Sequence, residues 1–570
     1  MNVAILSSGP GLSDYIGEIL KTWGLPLYDI VGPSAVVGLD PAQTPVLILP
    51  ASPDLAGCAP DVLAFVSRGG TAVTFLPEAS LAAEAGLETV GLKQGHLRLR
   101  VTRDPAPGLD GELLPVVGSA HDMIPEDGTT ALAYLSHADR YEGETVGIAE
   151  SPVGAGRIIS FAFDLPLAVL LLRQGDPNLT EVIPEADQCA RPSHLAVDIG
   201  PNDAGWIPYA DLLALLFVDI VRRCIPAPVP VLYHLPGEAP GILLYSGDED
   251  NADVAWNNSE LDYLASAGVR MNLYIIPNST HSTPSDVQRY MQHHDVGPHP
   301  NLRPLDGQSV SDRVAEFERQ ILMFQDMFNV KARSYRNHCH AWAGYLEPVE
   351  VLEKLGIRMD ANYMCCNYRR HRARSPYVGF GASMPMRYCT PEGHVIDVVQ
   401  QHTHLADDVM FSESEYSYRY SLQQFEVILG RTLDDIVNRF HTPYGVNIHP
   451  SNWVKFSRPP GEAIRRQAAE RDVPVWSWDQ WSIFRDARDT WRFACMAWRG
   501  SELRLMAEGA ATDARLRLAF PLLHGKQTLA KITINDRIVP YHKVSRYRQD
   551  LGLVQFADRD RTADIVAQYV

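Results

Sequence analysis

Four short stretches in the middle of the chain combine residue types that can hold a metal ion and move protons. Residues 241–251 (GILLYSGDEDN) are an apolar run that stops at Asp248, Glu249 and Asp250. Two such carboxylates can divide the work. A bound cation keeps one ionised while the other takes a proton from water, and by chemistry alone Asp248 and Asp250 could equally share these roles. Residues 295–301 (DVGPHPN) place His299 in a Pro-bounded loop, where it is a candidate metal ligand. Residues 332–340 (ARSYRNHCH) offer the Arg336 guanidinium, whose fork can hold a carboxylate, and His338 and His340, both within reach of a metal. Cys339 is a further donor, but a hard hydrolytic site favours nitrogen and oxygen. Residues 446–453 (VNIHPSNW) set His449 just past a short strand and lock it with Pro450, as suits a general acid. Taken singly, each stretch also reads as a solvated acidic turn or a hydrogen-bonded loop histidine.

The elements that must position these groups share one grammar, an apolar strand that stops at a cluster of Asp, His or Arg. In α/β barrels, catalytic groups sit at the C-terminal ends of the strands. The first cluster is followed by a helical stretch, Ser259–Ala267, a stop at Gly268 and a second strand, Met271–Ile276. The strand Val395–Gln401 leads into His402, His404, Asp407 and Asp408, a further site loop. The pattern predicts an α/β barrel over residues 238–489. Trp256, Trp342, Trp453, Trp476, Trp478 and Trp481 lie in the same region, where their rings could stack on sugar faces or pack the core.

The chain has 570 residues, which at roughly 100–200 per domain predicts about three domains. Residues 1–170 alternate strand and helix signals (Val3–Ser7, Asp14–Trp23, Val46–Leu49, Val62–Ser67, Ala72–Phe75, Arg157–Phe163) and predict a parallel α/β sheet. Residues 171–237 read as a linker holding one amphipathic helix, Tyr209–Arg223, ended by Pro226, Pro228 and Pro230. Residues 490–570 carry short strand-like runs and predict a small β-sandwich.

The formal net charge of −19 disfavours nucleic-acid and anionic-membrane partners. The apolar runs Leu165–Leu172 and Leu212–Val221 are too short to span a bilayer. No basic, then apolar, leader opens the sequence, and the eight cysteines include no Cys-x-x-Cys pair, although Cys365 and Cys366 are adjacent. We expect reduced thiols and a cytoplasmic location.

The four motifs, in order over about 250 residues, resemble the polysaccharide-deacetylase (NodB-homology) superfamily, carbohydrate esterase family 4 and its divergent relatives. SGDED resembles its first motif, DVGPHPN the second, SYRNHCH the third and NIHPSNW the last. The resemblance implies a distorted (β/α) barrel, here flanked by a flavodoxin-like α/β domain and a C-terminal β-sandwich. It implies one divalent metal ion, Zn2+, with Asp248, Arg336 and His449 as catalytic residues. Glu249 falls at the family's metal position, with Asp250 as the alternative, beside His299 and a second histidine. Asn301, Asn337, His404, Asp408, Trp453 and Trp478 are the expected substrate contacts. The family's second motif has two histidines four residues apart, but here the second position is Arg303. His338, then His404, is the expected replacement. The implied activity removes acetyl groups from a carbohydrate as amide or ester. The alternatives are an amidohydrolase acting on a small non-sugar amide and a metal-free carbohydrate-binding scaffold, which the missing histidine favours. The flanking domains could shape the substrate cleft or form a homo-oligomer interface.

Residues 1–170 resemble the class I glutamine-amidotransferase-like domain attached to carbohydrate-active enzymes, on residues 46–50, AFVSRGGTAVTF and GAGRIISFAFDLP. A working amidotransferase needs a nucleophilic Cys on the turn after a strand. Phe75 is followed by Leu76, Pro77 and Glu78 instead, and Cys58 follows a Pro-Asp loop. The domain is expected to be non-catalytic.

Overall fold

Apolar runs with few polar interruptions become buried parallel strands, and alternating runs become antiparallel ones. Both kinds share the first sheet. The computed structural model describes residues 2–102, 108–109, 111–139, 143–184, 189–200, 206–364, 380–557 and 560–570. The chain is mixed α/β. Near its start, Tyr28–Val31, Val3–Leu6, Val46–Leu49, Thr71–Phe75 and Gly156–Phe161 lie side by side and parallel. Beyond Gly156–Phe161 the sheet turns antiparallel through Thr145–Val153, Thr130–His137, Leu97–Val101 and Leu113–Val116. The expectation of a parallel sheet is therefore corrected to a mixed one. Residues 97–101 (LRLRV) show why, since buried and half-buried side chains alternate along them.

The stretch expected to be a linker contains a core element. Helix Tyr209–Cys224 is apolar nearly all round and buries residues along its whole length. The chain then enters Val231–Leu232, which pairs with Arg517–Pro521 near the C-terminus. That pairing extends a four-stranded antiparallel sheet, and a second sheet of six strands accompanies it over residues 492–570.

Between these regions, Ile242–Asp248 is flanked in parallel by Asn272–Ile275 and Pro443–Asn447. Asp295–Pro298 and Leu405–Ala406 extend that sheet on its two sides. Ser334–Tyr335, Met359–Asp360 and Val395–Gln400 form a second parallel run. The two sheets meet at both edges. At one, Arg336 N–H donates to the Pro298 carbonyl (3.3 Å) and His338 N–H to that of Pro300 (2.9 Å). At the other, Thr403 N–H reaches the Tyr363 carbonyl (2.8 Å), and His404 N–H that of Gly445 (2.8 Å). Because these strands run parallel, the residues at their C-terminal ends converge. Helices cross between them. Val310–Phe328, for example, is started by the Ser309 side chain on Asp312 N–H and stopped by Asn329 in a left-handed conformation.

One apolar core runs from Val3 to Tyr569 through all these parts. Buried cations knit it further. Arg488 donates to the carbonyls of Lys21, Thr22, Leu232 and Tyr233. Among the described residues no helix is long and apolar enough to cross a membrane. Cys365 and Cys366 lie outside the described residues, and the other cysteines are unpaired thiols.

Asp479 is part-buried beneath the strands, with its carboxylate accepting from Ser334 Oγ (2.6 Å) and Asn272 Nδ2 (3.1 Å). Burial, then the charge of Asp295, pushes its pKa up to about 7. A raised carboxyl contributes stability at low pH that is lost as pH rises through the folded-state value. Stability is therefore expected to fall between about pH 4 and pH 7, by at most about 4 kcal/mol. Asp479→Asn, which keeps an acceptor for both donors, should remove most of that slope in denaturant titrations run at several pH values.

Candidate active site

Side chains alternate across a strand, so Asp248 and Asp250 leave the end of Ile242–Asp248 on one side and Glu249 on the other. The backbone turns left-handed at Asp250 (φ 47°) and Asn251 (φ 58°), a conformation that Asp and Asn tolerate better than most residues. Glu249 faces a separate buried polar pocket. One of its oxygens, Oε1, accepts from Thr280 Oγ1 (2.6 Å), Ser282 Oγ (2.8 Å) and Asn257 Nδ2 (3.3 Å). The structure therefore puts Asp250, not Glu249, beside the histidines.

Asp250 Oδ1 is 3.1 Å from His299 Nε2 and 2.9 Å from His338 Nδ1. The three donor atoms lie within 4.8 Å of one another. Tetrahedral Zn2+ with ligand bonds of about 2.0 Å separates its donors by about 3.3 Å, close to these distances. His299 Nδ1–H donates to the Arg336 carbonyl (2.7 Å). That bond fixes the tautomer and turns the Nε2 lone pair toward Asp250, as metal-bound histidines require. Burial works against a charged His338, yet the hydrogen bond to Asp250 raises it to about 10. A field that attracts a proton so strongly also attracts a cation. The donor set fits the divalent ion that the family resemblance implies, and His338 lies where it could replace the histidine missing at Arg303.

Next to this trio, Asp248 Oδ1 accepts from Arg336 (3.0 Å) and Oδ2 from Asn447 Nδ2 (2.8 Å). Burial would raise its pKa, but Arg336, then His299 and His449, hold it down at about 2. Beside both acids, His449 Nε2 lies 3.8 Å from Asp248 Oδ2 and 3.6 Å from Asp250 Oδ2. Its Nδ1–H donates to Asp407 Oδ1 (2.5 Å), and Asp407 Oδ2 accepts the His449 backbone N–H (3.2 Å). Burial opposes the imidazolium, but Asp407 keeps it well above the usual histidine range. A carboxylate biased toward its ionised form and an imidazole biased toward its protonated form thus lie side by side next to three metal-type donors.

These groups open onto a cavity of about 250 Å³ that is also lined by Arg191, Arg303, Cys339, His340, Asp408 and Tyr416. Burial lifts Asp408 to about 6, and Tyr416 O–H donates to it (3.3 Å). Cys339 (φ 57°) and His340 (φ 52°) adopt left-handed backbone, which lets one loop aim His338 and His340 into the site.

Of the expected substrate contacts, only Asp408 lines the cavity. His404 is buried with both ring nitrogens used, Nδ1 by Gly445 N–H (2.9 Å) and Nε2 by the Ala382 carbonyl (3.1 Å). It is therefore neither a substrate contact nor a second metal ligand. Trp478 is buried against the Arg336 guanidinium (5.3 Å), and Trp453 against Tyr263 (5.2 Å). Asn337 donates to the Ala341 carbonyl (2.8 Å), and Asn301 Oδ1 accepts Arg303 N–H (3.1 Å), so both brace loops. Sequence reasoning missed Asp407 as the partner of His449, Asn447 as a second hold on Asp248, and Arg191. The first two were findable, since each ends a strand-like run beside a singled-out residue. Arg191 had no signal of that kind.

No protein-family model matches the sequence, and no curated protein matches it. Among solved structures, a carbohydrate deacetylase, Agd3, is similar over 100% of this chain and 98% of its own, at 9% identity and a TM-score of 0.45. A Mycobacterium smegmatis protein assigned to the polysaccharide deacetylases is similar over 46% of this chain and 94% of its own, at 14% identity and a TM-score of 0.33. A β-galactosidase from Bacillus circulans sp. alkalophilus covers 29% of this chain and 28% of its own, at 22% identity and a TM-score of 0.22.

The geometry separates the two acids that the sequence left open. Asp250→Ala should weaken Zn2+ binding by more than about 100-fold, the upper range for losing a mere outer partner, while Glu249→Gln stays within about tenfold of the parent. Metal titration against a competing chelator measures both.

Proposed function

We propose that this chain is a metal-dependent hydrolase that removes acetyl groups from a carbohydrate. In this reading residues 238–489 are a distorted (β/α) barrel of the polysaccharide-deacetylase type. Residues 1–170 are a non-catalytic amidotransferase-like domain, residues 171–237 pack between the two, and residues 490–570 form a β-sandwich. The reading of the first domain is supported by the turn after Thr71–Phe75, where Leu76 (φ 44°) occupies the strained position that a nucleophile would need.

The observation that carries the proposal is the opposed bias of Asp248 and His449, 3.8 Å apart and both beside the cluster of Asp250, His299 and His338. A divalent ion, Zn2+ by its donors, would be held by Asp250, His299 and His338, and when bound it supplies Lewis acidity toward an acyl oxygen and water. Asp248, ionised and unable to rotate between Arg336 and Asn447, accepts the proton of the attacking water. The proton on His449 Nε2 passes to the leaving amine or alcohol, while Asp407 holds the ring through Nδ1. The amide or ester C–N or C–O bond breaks, giving acetate and the free amino or hydroxyl sugar. Asp408 and Tyr416, on the same wall, are placed to orient the sugar.

Asp248→Asn and His449→Ala are each expected to lower kcat for acetate release from N- or O-acetylated oligosaccharides by about 10²–10⁴-fold. In the parent protein, activity should fall at high pH as His449 loses its proton, since its pKa is raised. Undiminished activity in chelated protein, or turnover of small non-sugar amides alone, would sink the proposal.

A further inference from the structure

The cavity is lined mainly by polar and charged side chains. Asp248, Asp250 and Asp408 line one part of it, and the same cavity is lined by two guanidinium groups, Arg191 and Arg303. The lining that they share puts both on the wall of one cavity. Each is pinned through Nε. Arg191 Nε–H donates to the Cys339 carbonyl (3.0 Å), and Arg303 Nε–H to Asp306 Oδ2 (2.6 Å). The segment carrying Arg191 is tied to the same loop by Trp342 N–H on the Ala190 carbonyl (2.9 Å). A guanidinium fixed in this way loses little entropy when its planar fork meets a carboxylate. Arg303 also stands at the position where the second histidine is expected. The exchange removes a metal donor from that loop and adds a cation to the cavity wall.

We infer that the acetylated sugar bound here carries a carboxylate, as a uronate does, and that Arg191 and Arg303 bind that group while the acetyl lies against Asp248 and His449. This specificity rests on the deacetylase reading for its chemistry, but its binding step can be tested apart from it.

The test compares a hyaluronan tetrasaccharide, in which N-acetylglucosamine alternates with a uronate, with the neutral chitin tetrasaccharide. The kcat/KM for acetate release is expected to favour the acidic substrate by about tenfold or more, chiefly through KM. Arg191→Gln and Arg303→Gln should each cut that ratio by about tenfold. Arg303→Lys keeps a charge for Asp306 but loses the planar fork, so a cut ratio in this variant at unchanged melting temperature separates lost recognition from lost folding. An equal or reversed ratio in the parent, or a ratio untouched in both Gln variants, overturns the inference. If neither substrate releases acetate, the deacetylase reading fails by itself, and calorimetric binding of the hyaluronan tetrasaccharide to the full chain decides the inference. Binding that weakens about tenfold in both Gln variants supports it. Undetectable binding to the parent, or equal binding by the variants, overturns it.

Discussion

The Arg336 guanidinium is the constraint on which the rest of the site depends. It is fully buried, and burying a bare cation costs several kcal/mol unless its donors and charge are matched. Here they are matched by four groups from three separate places in the chain. Nη1 donates to Ser246 Oγ (2.9 Å) and Asp248 Oδ1 (3.0 Å), Nε to the Ala361 carbonyl (3.1 Å), and Nη2 to Thr403 Oγ1 (2.8 Å). The rings of Tyr274 (4.9 Å) and Trp478 (5.3 Å) lie close to it. Only a flat group with donors on three sides can tie both sheets together in this way. The same contact keeps Asp248 ionised, so the device that joins the strands also sets the charge of the proposed base.

Position then follows from backbone. Arg336 and His338 belong to one short segment, and the backbone bonds of Arg336 and His338 to Pro298 and Pro300 bring that segment against His299. The left-handed turns at Asp250, Cys339 and His340 are costly conformations for residues with a Cβ, and such costs concentrate where side chains must be aimed. Strand alternation puts Asp250 on the same side as Asp248, and the left-handed turn at Asp250 and Asn251 ends the strand there.

What could be read from the sequence follows the range of the interaction. The pairing of Asp248 with Arg336, and the convergence of His299, His338 and His449 on the acids, were legible because each ends an apolar run, and strand ends converge. The choice between Glu249 and Asp250 was not settled by family register, since it turns on which face of a strand a residue occupies. His404, Trp453 and Trp478 were read as sugar contacts from residue type and proximity in sequence. Residue type does not say which way a ring points, and all three point into the core. In the first domain the buried parallel strands announced themselves as continuous apolar runs. The antiparallel hairpins of residues 87–153 did not, because half of each strand is polar and half-exposed.

Residues 171–237 show how a site can draw on chain far from its motifs. Rich in Pro, Asp and Asn, this stretch has the composition of a connector. Yet Arg191 braces the Cys339 carbonyl, Glu181 accepts from Gly344 N–H (2.9 Å) and pairs with Arg313, and Arg173 binds Asp211 (3.1 Å) and the Met384 carbonyl (2.7 Å). Apart from the Arg173–Asp211 pair, which lies within the connector, these bonds run from it to the loop that bears His338 and to the strand region behind it. The loop has left-handed backbone at two consecutive residues and only a single short 3-10 turn of its own, so its shape is held by what it rests on. The cavity is thus a joint product of the parallel strands, which supply the reacting groups, and of residues 171–237, which brace the His338 loop and supply one of the two cations on its wall.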